Sequence, residues 1–533
     1  METGEITLLA TAIGVSTSKK QFGKDCLPGP ASKNGITPAE AVPSRPGGDI
    51  ENPLLFVLSA SSEQSLLETA AKLRRWAFSR IDLPAYEHAL AYTLANRRSM
   101  MQWRYSTVTA HHSELMDALG QNSLQPIKVA EELQVAFIFT GQGAQWYAMG
   151  RELMSFESPF SASIQKSDMI LRDFGTSWSL QSELLENRAT SRMDESQIAQ
   201  PASTALQIAL VDLLASINIS PRMVLGHSSG EIGAAYAAGI VSHEQALRLS
   251  YCRSQIASIC KKNISSRGAM LAVGLGEREV LPFLTNLSNG LVEVACANSP
   301  SSTTLSGDEP AIVEIEKVLN GRQIFCRRLN VDIAYHSQHM RQVADQYRCL
   351  LGNVKVQVPR DDIKFLSSVT AKQKVGNFDT AYWIENLVSK VRFRDALGEY
   401  CRNQAMLART TSQPTNVFVE IGPHSSLSGP IRQTLTYASD DLKYRYLPTL
   451  ERNRNALRSI LVLGGKMWEM GHQVNIGAAN SLTGINGKRR VLQDLPNYSW
   501  DHSRAYWCES RLIESTTSGN IPTMSFWVCT CRA

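Results

Sequence analysis

The stretch Val224–Gly239, VLGHSSGEIGAAYAAG, sets two adjacent serines between glycines and follows them with an alanine-rich amphipathic run. Gly226-His227-Ser228-Ser229-Gly230 fits G-x-S-x-G with Ser228 at its centre, whereas centring on Ser229 would put His227 and Glu231 where the glycines must stand. In that pattern the serine sits on a tight strand-to-helix turn. Glycines two residues before and after it let neighbouring backbones approach where a Cβ would clash. Met223–Leu225 reads as the strand before the turn, and the run through Ala238 as the helix after it. Ser228 is therefore a candidate nucleophile, and Ser229 offers a backbone N–H that points toward an anion, as an oxyanion hole requires. A Gly/Ser-rich helix start that merely caps the backbone is the competing reading of the bare pattern.

Working outward, the same grammar recurs. In VAFIFTGQGAQWYAMGREL, Val135–Phe139 reads as a buried strand, Gly141 and Gly143 permit a tight loop, and a helix follows. Strand, glycine turn and helix in repetition predict a parallel sheet covered by helices. From Ala269 to Leu329 the texture changes to short alternating runs, which predicts a small antiparallel α+β insertion, and the sheet pattern resumes with KFLSSVT and NVFVEIG. Upstream, PLLFVLSA at Pro53–Ala60 and the helical patterns after it read as a separate small α/β unit, closed by the polar stretch Gly120–Pro126. The expected organisation is a disordered leader over 1–52, rich in Gly, Pro, Ser and Lys; the α/β unit over 53–125; the main body over 126–445; a helical and loop segment over 446–511; and an irregular tail over 512–533.

The chain has 533 residues, 43% hydrophobic and 19% charged, which suits a globular protein of several domains. Lys plus Arg number 54 against 49 for Asp plus Glu, a net charge of +5 without a polybasic block, so nucleic acid is not suggested. Ten cysteines lack paired ligand spacing apart from a terminal C-T-C, which reads as reduced thiols in a cytoplasmic protein with no metal site. The N-terminus carries acidic residues where a signal peptide needs positive charge, and no membrane segment is expected.

A serine hydroxyl needs a base. His227 adjoins Ser228 but should project away from the turn and serve in packing. His336, in DIAYHSQHM, lies where the insertion rejoins the main body, and His339 follows three residues later; spacing alone leaves the two even. Arg253, in QALRLSYCRSQIASI, falls near the apolar face beside Tyr251 and Cys252. A guanidinium held beside an acylating serine would select a substrate that is itself a carboxylate. A solvated surface position is the commoner fate of a single arginine.

Taken together and in order, FIFTGQGAQWYAMGREL, QPASTALQIAL, GHSSGEIGAAYAAG, CRSQIA, ANSPSSTTLSG, AYHSQHM, YWIENLVSKVRF and FVEIGPHSSL resemble the malonyl-CoA:acyl-carrier-protein acyltransferase domains of type I highly reducing polyketide synthases of the fungal kind. PLLFVLSASSEQSL and LAYTLANRRSMMQWR resemble the linker domain that precedes that acyltransferase, and LPNYSWDHSRAYWCESR the segment that follows it. The fold so implied is α/β: an α/β-hydrolase-like parallel sheet with an inserted ferredoxin-like α+β subdomain. The resemblance implies Ser228 as nucleophile, His336 as its base, and Arg253 as the grip on the malonate carboxylate. It implies Gln142 and Ser229 as oxyanion-hole donors, and Asn386 as the residue whose main-chain carbonyl orients the histidine. Gln200 and Asn298 match pocket-lining motifs, and Tyr335 resembles malonyl-type domains, its bulk leaving less room for an α-methyl.

The implied substrates are malonyl-CoA and a phosphopantetheinyl acyl carrier protein, with no bound cofactor and no metal. A serine thioesterase, or an idle fragment of a synthase, are the rival readings. Two positions depart from the family pattern: Lys390 stands where proline is usual, which is expected to loosen the loop carrying Asn386, and Ile333 where histidine is frequent. Nothing before residue 53 resembles a ketosynthase and nothing after Arg511 a dehydratase, so a free-standing enzyme or a truncated synthase is expected.

Overall fold

The computed structural model describes residues 52–80, 86–130, 132–263, 267–331, 333–407, 414–438, 442–484 and 490–503. The expected leader (but for Asn52), the tail over 512–533 and the end of the segment before it lie outside the described residues.

The first element among the described residues is strand β1 (Leu54–Ala60), which pairs antiparallel with β2 (Trp103–Thr109), and β2 in turn with the short β3 (Ile127–Lys128). The helix Glu63–Phe78 between them starts where the Ser62 side chain accepts from the Ser65 amide. Leu54, Phe56 and Leu58 face one core with that helix, while Leu55, Val57 and Val108 face another, shared with the main body. The two-residue alternation of a strand thus serves two layers at once. The second layer is the helix Ala456–Glu469, which lies so close that a Cβ on Gly465 would meet Ser106 Oγ at 2.5 Å.

The main sheet begins with β4 (Leu133–Phe139) and β5 (Met223–Gly226), paired in parallel. Val135–Phe139 and the whole of β5 are buried, the unbroken apolar run of a strand covered on both faces. Between them runs the helix Ser196–Ser216. It is long and apolar enough to cross a membrane, but its leucines, isoleucines and every alanine except Ala215 are buried inside the protein. After β5 come the helices Gly230–Ala237 and His243–Asn263, and then the insertion: β6 (Gly268–Val273), β7 (Val292–Ser299), β8 (Ser302–Asp308) and β9 (Cys326–Arg328), in the order β7-β8-β6-β9 with every neighbouring pair antiparallel. The main sheet is completed by β10 (Lys364–Ser367), β11 (Lys372–Gln373), β12 (Thr415–Ile421) and β13 (Tyr444–Pro448), giving the order β11-β10-β5-β4-β12-β13, parallel except for β11. The boundary expected at 445 falls inside β13, because Arg445–Pro448 pair with Val417–Glu420 of β12. Likewise β3 belongs with β2, beyond the boundary expected at 125.

Candidate active site

Gly226 pairs in register with Phe139, and Phe139 with Ile421, so β4, β5 and β12 end level at one edge of the sheet. Loops at the carboxyl ends of adjacent parallel strands are where such sheets hold their ligands. At the end of β5 the chain turns sharply: His227 N donates to Phe139 O (2.9 Å) and Gly230 N to His227 O (2.9 Å). A Cβ on Gly226 would lie 2.1 Å from the Glu231 amide nitrogen, and one on Gly230 would lie 2.5 Å from Phe139 O. Only glycine closes this turn, and it leaves Ser228 at its apex with a left-handed φ of 55°.

Ser228 Oγ lies 2.6 Å from His336 Nε2. The other ring nitrogen, Nδ1, lies 2.9 Å from the main-chain carbonyl of Ser389. A carbonyl only accepts, so Nδ1 carries the proton and Nε2 is free to receive the one on Ser228. Burial first, and the Arg253 charge second, hold His336 well below the usual imidazole pKa, which keeps it neutral with Nε2 open to a proton. His339, even with His336 by spacing, is bound through Nε2 to Asp308 Oδ1 at 2.9 Å.

The carbonyl that orients the imidazole belongs to Ser389 and not to Asn386, which corrects the expectation from the resemblance. Asn386 is still inside the helix Thr380–Val388, with its carbonyl along the axis, whereas Ser389 has left the helix in an extended conformation (ψ 158°) that turns its oxygen aside. Asn386 acts instead through its side chain. Its Nδ2 donates to Ser228 O (3.1 Å) and to Glu231 Oε2 (3.0 Å), and its Oδ1 accepts from Arg253 Nη1 (2.9 Å).

Arg253 is 2% exposed. Its Nη2 donates to Ser228 Oγ at 3.2 Å, and among the described residues no carboxylate pairs with it directly. A buried guanidinium held by neutral acceptors alone retains unspent capacity for an anion. Tyr335 lies beside it, ring centroid 6.0 Å from the guanidinium carbon, and its hydroxyl accepts from Gln200 Nε2 at 3.0 Å. Gln142 lies on the loop after β4. That loop is pressed onto the elbow so tightly that a Cβ on Gly141 would come within 2.7 Å of His227 O and 3.4 Å of Ser228 Cβ. Ser229 begins the helix Gly230–Ala237. Gln142 and Ser229 thus occupy the two loops that meet at Ser228. Asn298 reaches the site at one remove: its Oδ1 lies 2.8 Å from His227 Nε2 and its Nδ2 donates to Thr304 Oγ1 at 3.0 Å, tying the insertion to the residue before the nucleophile. His227 is not the base; its ring packs near Phe393.

Sequence reasoning missed Glu231. Fully buried, it accepts from Tyr382 Oη (2.6 Å), Ser368 Oγ (2.9 Å), the Ser368 amide and Asn386. Burial raises its pKa in spite of these donors. An acid on the inward face of an alanine-rich helix, inside the quoted stretch itself, was the available signal.

Residues 136–473 match the family model described as acyl transferase domain. The chain is 43% identical over 464 residues to the highly reducing polyketide synthase SAT13 of Stachybotrys chartarum, an alignment covering 86% of this chain and 19% of that protein. It therefore spans about a fifth of the length of that curated relative. Among solved structures, the acyltransferase domain from the second module of the salinomycin polyketide synthase superimposes with a TM-score of 0.60 at 30% identity, covering 82% of this chain and 99% of that one. The acyl transferase domain of ZmaA gives 0.70 at 25% identity, covering 84% and 99%. A Ser–His pair at the carboxyl edge of a parallel sheet, the family model and these structures agree: the chain belongs to the acyl transferase domain family.

Proposed function

We propose that this chain moves a malonyl group from malonyl-CoA, by way of an ester on Ser228, to the phosphopantetheine thiol of an acyl carrier protein in polyketide assembly. The observation that carries the reading is a single oxygen, Ser228 Oγ, held at 2.6 Å by a neutral imidazole and at 3.2 Å by a buried guanidinium. The malonyl carboxylate takes the Arg253 guanidinium. His336 Nε2 accepts the hydroxyl proton as Oγ attacks the thioester carbonyl, and the amides of Gln142 and Ser229 receive the oxyanion. Collapse expels the coenzyme A thiolate, which takes the proton from His336. The carrier thiol then gives its proton to His336 and attacks the seryl ester; collapse breaks the bond to Ser228 Oγ, which takes that proton back from His336, and the carrier leaves with the malonyl group as its thioester. The reaction so written uses one thioester and one thiol as substrates and no bound cofactor. Tyr335, packed beside Arg253 and Gln200, limits room at the α-carbon and favours malonyl over branched extenders. The His336 ring is held by a backbone carbonyl where a hydrolase triad would place an acid, which favours transfer over hydrolysis.

The strand order of β6–β9 supports reading the insertion as ferredoxin-like, and the shared packing of β1 and β2 with Ala456–Glu469 supports reading the flanks as linkers that clasp the acyltransferase. Incubation with malonyl-CoA should add one malonyl mass to the intact protein, lost in Ser228→Ala and passed on when a carrier protein is added. Labelling that persists in Ser228→Ala would overturn the reading.

A further inference from the structure

Ser389, Lys390 and Val391 follow one another, the first tied to the base and the other two to the insertion. The Ser389 carbonyl holds His336 Nδ1 at 2.9 Å. Val391 is built into the insertion: its N–H donates to Ala295 O (2.8 Å) and its carbonyl accepts from Ala297 N (2.9 Å), a bridge onto β7. Between them, the Lys390 ammonium pairs with Glu277 on the insertion's helix Glu277–Val280, and Arg394 Nη2 stands 3.7 Å from the other oxygen of the same carboxylate. On the other side, the Ser389 amide and hydroxyl hold the last turn of the helix Thr380–Val388 through Glu385.

Two residues of extended chain, about 3.3 Å each, therefore separate the insertion's edge from the carbonyl that aims the base. Such a tether has no slack. A shift of the insertion by about 1 Å would carry the Ser389 oxygen beyond hydrogen-bond reach of Nδ1. We infer that Lys390, through Glu277, is a positioning residue for His336: it fastens the insertion to the strap whose first carbonyl orients the imidazole. Lysine here, flagged in the sequence as a loosening, fastens the loop by charge.

This inference rests on the proposed acyl transfer at Ser228, and the test separates the two. Single-turnover malonylation of Ser228 is followed at saturating malonyl-CoA and across its concentration range in wild type, Lys390→Met, Lys390→Arg, Glu277→Gln and the double variant Lys390→Met/Glu277→Gln. For a partly exposed pair the expected slowing is about three- to fivefold in Lys390→Met and Glu277→Gln. The half-saturating concentration should stay unchanged, Lys390→Arg should keep the wild-type rate, and the double variant should be no slower than Glu277→Gln. Raising ionic strength from about 0.1 M to about 1 M, which shortens the Debye length from about 10 Å to about 3 Å, should slow wild type but not the double variant. The inference is overturned by wild-type rates in Lys390→Met and Glu277→Gln, by losses that multiply in the double variant, or by a change confined to half-saturation. Absence of malonylation in wild type would instead remove the proposed function itself.

Discussion

Replacing Arg253 by methionine is the sharpest test of why a cation is buried beside Ser228. Methionine keeps an unbranched apolar stem in the space, so the cavity left is smaller than alanine would leave. The guanidinium is 2% exposed and is held by Asn386 Oδ1 and Ser228 Oγ, with no direct carboxylate partner among the described residues. A malonyl carboxylate docked there completes a buried ion pair, and deleting one member of such a pair costs about 3–5 kcal/mol. At about 1.4 kcal/mol per decade, kcat/KM for malonyl-CoA should fall by about two to three and a half orders of magnitude. Acetyl-CoA brings no carboxylate. It shares only the loss of the 3.2 Å contact to Ser228 Oγ, and it is relieved of leaving a cation unpaired. The common loss cancels in the ratio of the two substrates, which should shift toward acetyl by about a hundredfold or more. Intact-mass kinetics of Ser228 acylation with each thioester, at concentrations below saturation, measure that ratio. Equal losses for the two substrates would refute the reasoning, since the cation would then serve only the architecture.

Two further outcomes follow from the buried titratable groups. Burial and the Arg253 charge depress the His336 pKa, so the acylation rate should be level from pH 6.5 to 8 with its acid limb below the unperturbed value of 6.5; Arg253→Met should move that limb upward, and a wild-type limb at 7 or above would contradict the assignment. Glu420, next to the end of β12, accepts from the Leu427 amide at 3.0 Å and has its pKa pushed from 4.5 up to about 7 by burial. A carboxyl that binds its proton more tightly folded than unfolded contributes most below pH 4.5, and that contribution is lost as pH rises toward 7, a decline of about 3 kcal/mol. Denaturant unfolding at pH 5 and pH 8 should show this decline in wild type and a smaller one in Glu420→Gln; equal slopes would sink it.

Much of the site could be read before any coordinates. The elbow was legible because glycine at 226 and 230 is demanded by backbone approach, a local constraint that leaves its mark in residue type. The buried runs at 135–139 and 223–226 were legible for a similar reason: both faces of a parallel strand are covered. Arg253 was ambiguous, because a helix periodicity places a residue near a face without saying whether its charged end is enclosed. Spacing alone could not separate His336 from His339; the resemblance pointed to His336, and the structure sets its Nε2 2.6 Å from Ser228 Oγ while Asp308, on β8, holds His339. Ser389 was illegible in principle. A backbone carbonyl has no residue type to betray it, and the family pattern led to Asn386, three positions early, because where a helix ends is a matter of hydrogen bonding and not of motif. Boundaries suffered most at β13, a short, partly buried run that gave no sign that it edges the main sheet.

The nucleophile and its base share a backbone peculiarity: Ser228 and His336 both sit at φ near +60°, at 55° and 58°. Each such joint costs a non-glycine residue about 1–3 kcal/mol, tolerated because the surroundings dictate it. Robustness and competence therefore pull against each other at two points along this polypeptide. A directed-evolution campaign rewarded only for heat tolerance would drift toward glycine or asparagine at those positions, gaining degrees of melting temperature as it discarded the chemistry.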